Sequence, residues 1–206
     1  YYYRLGKLQA CPSKRITLKK KIRKDENGNI IPDRTPKQRK NNTKFTFARY
    51  MFAFIRKRFG DLPVWKIAAA QRGMTDDNLI QSTNYKYLDE KGKILDMEGF
   101  QVSLGPLALP LNLRATRNGT LVSITWDDPR DEPSAAPTDR MMVGIFYADY
   151  RDTFTLEKET GTTRRDGKCE IILRDDDGEV CIHPFFARAD NTAFSEDKAI
   201  TLPDTE

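Results

Sequence analysis

Histidine is almost missing from this chain: His183 is the only one in 206 residues. A multi-histidine metal site therefore lacks a second member, and a histidine-based triad lacks a partner for its imidazole. Cysteine is scarce and odd in number. Cys11, Cys169 and Cys181 form no CxxC pair, which favours a reducing compartment and speaks against a zinc site. No apolar run approaches the ~20 residues of a membrane-spanning helix. A glycine-rich phosphate loop is also lacking. Gly6-Lys7, Gly92-Lys93 and Gly167-Lys168 each lack the preceding glycine at the required spacing.

Charge is plentiful and unevenly placed. Residues 1–72 hold 20 Lys and Arg against 4 Asp and Glu, and residues 73–206 hold 15 against 26. The overall +5 thus conceals a strongly basic first third and an acidic remainder. The basic part reads as an electrostatic arm and the acidic part as a self-contained domain. With 38% hydrophobic and 32% charged residues, the composition is that of a limited core under a heavily charged surface. The opening Tyr1-Tyr2-Tyr3, with no initiator Met, points to a true N-terminus upstream of this numbering and leaves a removed signal peptide open.

Residues 1–34 read as an extended basic arm. A short strand pair is expected around Gly6. Residues 14–24 carry seven cations, with Ile16, Leu18 and Ile22 at even positions, the spacing of a strand with one cationic face. Asn27-Gly28-Asn29 is a turn signal. Thr35-Pro36 then predicts a helix start, Thr as N-cap and Pro at the first helical position. Phe45, Ala48, Phe52, Ile55 and Phe59 form its apolar stripe, widened by Met51 and Phe54, and Gly60 ends it. Asp61 is expected to cap a second helix ending near Gly73, and Thr75 a third. The helical segment is assigned to residues 35–99, with helix to about residue 87.

From residue 100 the period changes. An apolar run from Val102 to Ala115 leads to an Asn118-Gly119 turn, followed by strands around 121–126, 141–147, 153–158, 169–173, 180–186 and 199–202. Short strands separated by turn residues predict an antiparallel sandwich over 100–206. Asp175-Asp176-Asp177-Gly178 carries the strongest hairpin signal. As a hairpin it would pair Ile172 with Cys181 and leave Cys169 on the opposite face, so no bridge between these cysteines is expected.

The segment Leu111-Asn112-Leu113-Arg114-Ala115, then Gly119 and Val122-Ser123-Ile124-Thr125-Trp126-Asp127-Asp128, resembles the opening of a fibronectin type III domain. The resemblance implies that Trp126, on the second strand, fills the core between two sheets. The chain also resembles an uncharacterised protein family common in Bacteroidota. The matching residues are Tyr1-Tyr2-Tyr3-Arg4 with Gly6-Lys7, Thr35-Pro36 with Gln38-Arg39 and Phe45, and Leu104-Gly105-Pro106-Leu107 with the Trp126 strand. Asp139-Arg140-Met141-Met142-Val143, Gly178-Glu179-Val180 and Phe194-Ser195-Glu196-Asp197 complete the set. The resemblance implies a basic N-terminal segment, a helix and a sandwich, and supplies no activity. Against that pattern the stretch 19–33 is long and basic.

Catalytic chemistry finds little support. Asp127-Asp128, Asp131-Glu132 and 175–177 fall in turns and read as solvated; 175–178 lacks the length and terminal Glu of a calcium loop. Cys181 and His183 share a strand face, but nothing near them in sequence would orient the imidazole, so a packed strand histidine is expected. The fold class is therefore α+β: a basic extended arm and a short helical segment before a seven-stranded fibronectin type III/Ig-like sandwich. The expected role is non-enzymatic, a structural or interaction subunit of a larger assembly such as bacterial cytoplasmic machinery or a phage virion. The alternative is a nucleic-acid-binding accessory protein whose arm contacts RNA or DNA backbones. Expected contact residues are Arg4, Lys7, Lys14, Arg15, Lys19, Lys20, Lys21, Arg23, Lys24, Lys37, Arg39 and Lys40. Partners are other protein subunits, with nucleic acid the rival ligand. No membrane, cofactor, metal or small-molecule substrate is expected, and the location is cytoplasmic or virion.

Overall fold

The computed structural model describes residues 2–4, 7–9, 26–28, 35–128, 134–150, 154–174 and 178–204. The chain divides into two compact units, Tyr1–Arg39 and Lys40–Glu206. In the first, β1 (Tyr2–Arg4) and β2 (Lys7–Gln9) pair antiparallel, Tyr3 opposite Leu8 and Arg4 opposite Lys7, as the Gly6 signal predicts. Gly28, in the expected turn, has φ +80°. The rest of the arm, including the stretch carrying Ile16, Leu18 and Ile22, lies outside the described residues.

Helix α1 (Pro36–Phe59) begins where Thr35-Pro36 places it. The Gln38 backbone N–H donates to Thr35 Oγ1 at 3.2 Å, and the Thr35 N–H donates to Gln38 Oε1 at 2.9 Å, a reciprocal capping box. Gly60, with φ +61°, ends the helix in the left-handed conformation that a side chain would disfavour. Helix α2 (Val64–Gln71) corrects the expectation for Asp61: position 63 precedes the helix, with no side-chain cap. Pro63 disfavours helical backbone at Leu62, so the helix cannot start from Asp61. Helix α3 (Asp76–Asn84) is capped by Thr75 as expected, its side chain accepting from the Asn78 N–H at 3.3 Å.

Among the described residues of the second unit, seven strands form two antiparallel sheets. One holds β3 (Leu111–Asn118), β4 (Leu121–Asp127) and β7 (Lys168–Ile172), in the order β3-β4-β7. The other holds β5 (Arg140–Tyr147), β6 (Phe154–Glu157), β8 (Val180–Ala187) and β9 (Ile200–Leu202), in the order β6-β5-β8-β9. The protein is an α+β sandwich. The hairpin expected at 175–178 is corrected: Ile172 pairs with Leu121, whereas Cys181 pairs with Phe146 and Thr201. Strands β7 and β8 thus lie in different sheets, and the chain changes sheet between Ile172 and Val180.

The uninterrupted apolar run of β5 now has a cause. Strands β5 and β8 are covered on both faces, and all eight residues of β8 are buried. Between the sheets lie Leu113, Val122, Ile124, Trp126, Val143, Ile145, Ile182 and Phe186. Trp126 meets Phe186 edge-on at 5.5 Å, and its indole N–H donates to the Arg164 carbonyl at 2.8 Å. The opposite face of β5 and β8, with Met142, Phe146, Cys181 and Phe185, shares a second core with Phe52, Ile55, Phe59, Trp65 and Ile80 of the helices. Helices and sandwich therefore stack as three layers. Gly144 belongs to this packing: a Cβ there would stand 2.9 Å from the Phe154 ring and 3.0 Å from Val102.

The expected first strand begins late. Residues 101–107 are strapped across the sheet mainly by side chains rather than by a ladder. Asn84 exchanges two 2.8 Å hydrogen bonds with the Gln101 backbone, and Ser103 Oγ donates to the Ser195 carbonyl at 2.7 Å. Regular pairing starts only at Leu111, with a register shift before Arg114 and Asn112 at φ +50°.

Candidate functional site

The basic residues singled out by sequence fall into three groups. Lys14, Arg15, Lys19, Lys20, Lys21, Arg23 and Lys24 lie outside the described residues. Arg4 and Lys7 face each other in the register of the β1–β2 hairpin. Lys37 and Arg39 are exposed on α1 in the first unit, and Lys40, also exposed, opens the second unit and pairs with Glu90.

From Lys40 onward α1 has two unlike faces. Ala48, Met51, Phe52, Ile55 and Phe59 are buried. Phe45, assigned by its spacing to the core stripe, is instead 42% exposed, because that stripe finds no apolar cover before Ala48. Phe47 is 41% and Tyr50 69% exposed. The same helix carries Arg49, Lys57 and Arg58, all exposed, with Arg58 stacked over the half-buried Phe54 ring at 4.8 Å.

Two clefts open beside this face and share Ala53 and Arg56. The larger, about 480 Å³, is bordered by Lys57, Phe59, Leu62, Trp65 and Lys66, and the smaller, about 220 Å³, by Arg49, Tyr50, Phe52 and Gln81. Arg56 is held between them by Asp77, 2.7 Å away, and Asp76, 3.4 Å away. The Trp65 indole N–H is buried without an acceptor. Arg49, Lys57 and Lys66 stand among the cleft residues beside Asp61, and Tyr50 is the exposed ring. Neither cleft holds a nucleophile beside a base.

Among the described residues, a constellation of catalytic type is buried elsewhere. His183 Nδ1 stands 2.6 Å from Asp197 Oδ2, and His183 Nε2 stands 3.4 Å from Cys181 Sγ. The expectation that nothing orients this imidazole is corrected: Asp197 does so from a segment fourteen residues on. A long-range loop contact leaves no periodic signal in sequence. The packed-histidine expectation itself stands, since Cys181 and His183 are 0% exposed. Burial pushes the His183 pKa down. The hydrogen bonds that the ring makes to Asp197 and Cys181 outweigh it and raise the pKa from 6.5 to about 9. Phe146 closes the ring edge-on at 5.2 Å.

A second buried polar cluster is structural. The Arg164 side chain is wholly buried, donates to the Ala108 carbonyl at 2.6 Å, stands 3.5 Å from Asp139 and lies over the Phe186 ring at 4.3 Å. Burial lowers its pKa, with Asp139 opposing. Among the described residues no cluster of three or more His, Cys, Asp or Glu is placed to hold a metal ion, and no helix is long and apolar enough to cross a membrane.

No family model matches the chain, and no curated protein matches it. Solved structures similar to it include one described as "Myokine structure", 17% identical, which covers 49% of this chain and 100% of that chain with a TM-score of 0.36. A similarity of that size carries no argument about this protein.

Proposed function

We propose that this is a non-enzymatic structural or interaction protein, a subunit of a larger assembly of protein chains, docked through its basic N-terminal segment and the exposed face of α1. The observation that carries the reading is the exposure of Phe47 and Tyr50, three apart on one face of α1, on a helix that also buries Ala48, Met51, Phe52, Ile55 and Phe59. Exposed rings of this kind cost solubility and are typical of docking surfaces rather than of a solvated helix. The partition of seven strands into three and four, with Trp126 of the second sandwich strand in the inter-sheet core, supports the fibronectin type III-like reading. Such a sandwich serves as a scaffold and implies no activity. Bacterial cytoplasmic machinery and a phage particle are both settings that fit. Generic esterase, phosphatase, nuclease and glycosidase assays are expected to stay at background.

The rival ligand, nucleic acid, is separated by one experiment. Full-length protein is titrated with mixed nucleic acid at low and moderate salt, and its mass is measured in a nucleic-acid-free sample. The interaction reading expects self-association beyond the 23.7 kDa monomer without nucleic acid. A monomer that binds nucleic acid tightly at low salt and loses it steeply toward moderate salt, with a log–log slope of ~0.9 per phosphate contact on duplex DNA, would favour the rival.

A further inference from the structure

The two described cysteines are both buried, yet their surroundings differ. Cys169 lies in the inter-sheet core, where burial raises its thiol pKa against weaker opposition from Thr162 and Thr160. Cys181 lies on the helix side of the other sheet, with the imidazole of His183 3.4 Å from its sulfur and Asp197 behind that ring. An imidazole nitrogen at this distance is placed to exchange a proton with the sulfur, and the thiolate is the reactive form of cysteine. Access is the remaining requirement. The backbone neighbour of Cys181 at the sheet edge is Thr201, whose hydroxyl is 3.9 Å from the sulfur and donates to the exposed Glu98 carboxylate. Strand β9 is three residues long and, among the described residues, pairs with β8 alone, while β3 of the other sheet packs against it. A short edge strand opens at lower free-energy cost than a central one, and its opening takes Thr201 away from the sulfur.

We propose that Cys181 is a peroxide-reactive thiol, oxidised in place to a sulfenic acid when β9 opens, with His183 as the proton donor. The thiolate sulfur attacks one oxygen of hydrogen peroxide. The S–O bond forms and the O–O bond breaks. The departing hydroxide takes the Nε2 proton of the imidazolium and leaves as water. Sulfur loses two electrons and the peroxide gains them. Asp197 is a positioning residue: it fixes the ring so that Nε2 faces the sulfur. Among the described residues, Cys169, on a strand of the other sheet and in the other core, is not placed to resolve the product as a disulfide.

The test uses native full-length protein treated with hydrogen peroxide and the sulfenic-acid trap dimedone, with labelling of Cys181 and Cys169 followed by peptide mass analysis. Cys181 is expected to label roughly tenfold faster than Cys169. Glu98→Ala removes the exposed acceptor of Thr201 and should raise the Cys181 rate further, leaving Cys169 unchanged. Asp197→Asn should bring the Cys181 rate down toward that of Cys169 while the unfolding transition is retained. Equal rates for the two thiols, or protection of both until denaturant is added, would overturn the proposal. A Glu98→Ala effect that is absent, or shared equally by both thiols, would overturn access through β9, and with it the proposal.

Discussion

Asp197 joins the strap over the sheet to the histidine beneath it. One carboxylate oxygen accepts from the Val102 and Ser103 backbone N–H groups at 2.9 and 2.8 Å, and the other stands 2.6 Å from His183 Nδ1. One buried charge thus satisfies two donors of an irregular segment and holds an imidazolium in place. Without it, residues 101–107 would leave buried N–H groups unpaired and lose the anchor that carries Phe100, Val102 and Leu104 into the helix-side core.

The pair sets a pH dependence of known sign. The folded pKa of His183, about 9, lies above its unfolded value of 6.5. The native state therefore binds the proton more tightly, and the resulting stability is fully present below pH 6.5 and lost as pH rises through 9. The loss is on the order of 3 kcal/mol. Urea midpoints should fall between pH 6 and pH 9.5. Asp197→Asn, which keeps an acceptor for Val102 and Ser103, should flatten that dependence. An Asp197→Asn protein with the parent's pH dependence would assign the effect to other groups.

Trp126 is expected to be the costliest single truncation between the sheets. It combines edge-on packing against Phe186 with a hydrogen bond to the Arg164 carbonyl, the residue that lies over the other side of the same core. Trp126→Ala should destabilise by ~3–5 kcal/mol, a large part of a domain's stability. Chemical denaturation measures this directly, and a midpoint near the parent's would contradict the placement of Trp126.

The exposed face of α1 should separate binding from stability. Tyr50 and Phe47 are far from fully packed, so Tyr50→Ser and Phe47→Ser should each change stability by about 1 kcal/mol or less. If the face docks a partner, the double variant should lose association at least tenfold, since exposed aromatics act as anchors. Unchanged association mass in the double variant would count against this face.

Much of this arrangement is legible in sequence where its cause is local. Thr35-Pro36, Thr75 and Gly60 act within one helical turn, and all three function where they stand. The strands of the sandwich are equally local, since alternation and turns mark them. Contacts between distant segments are not. Asp197 meets Val102 across 95 positions, and no pattern in either segment announces it. Residues 175–178 read as a hairpin although β7 and β8 lie in different sheets, because turn chemistry does not encode whether the next strand joins the same sheet. Phe45 has helix-core spacing but no cover, which is a property of its neighbours rather than of its own helix. The basic residues 14–24 were recognisable by charge alone, and their contacts fall outside what the described residues display.

Deleting residues 1–33 tests the central claim most directly. The unit from Lys40 onward contains both apolar cores, so the truncated protein should keep a cooperative unfolding transition close to the parent's. Its mass in solution should fall from that of the associated species to that of a monomer, and it should no longer enter the native assembly. A truncated protein that associates and incorporates as fully as the parent would show the basic segment to be a passive tail and contradict the account.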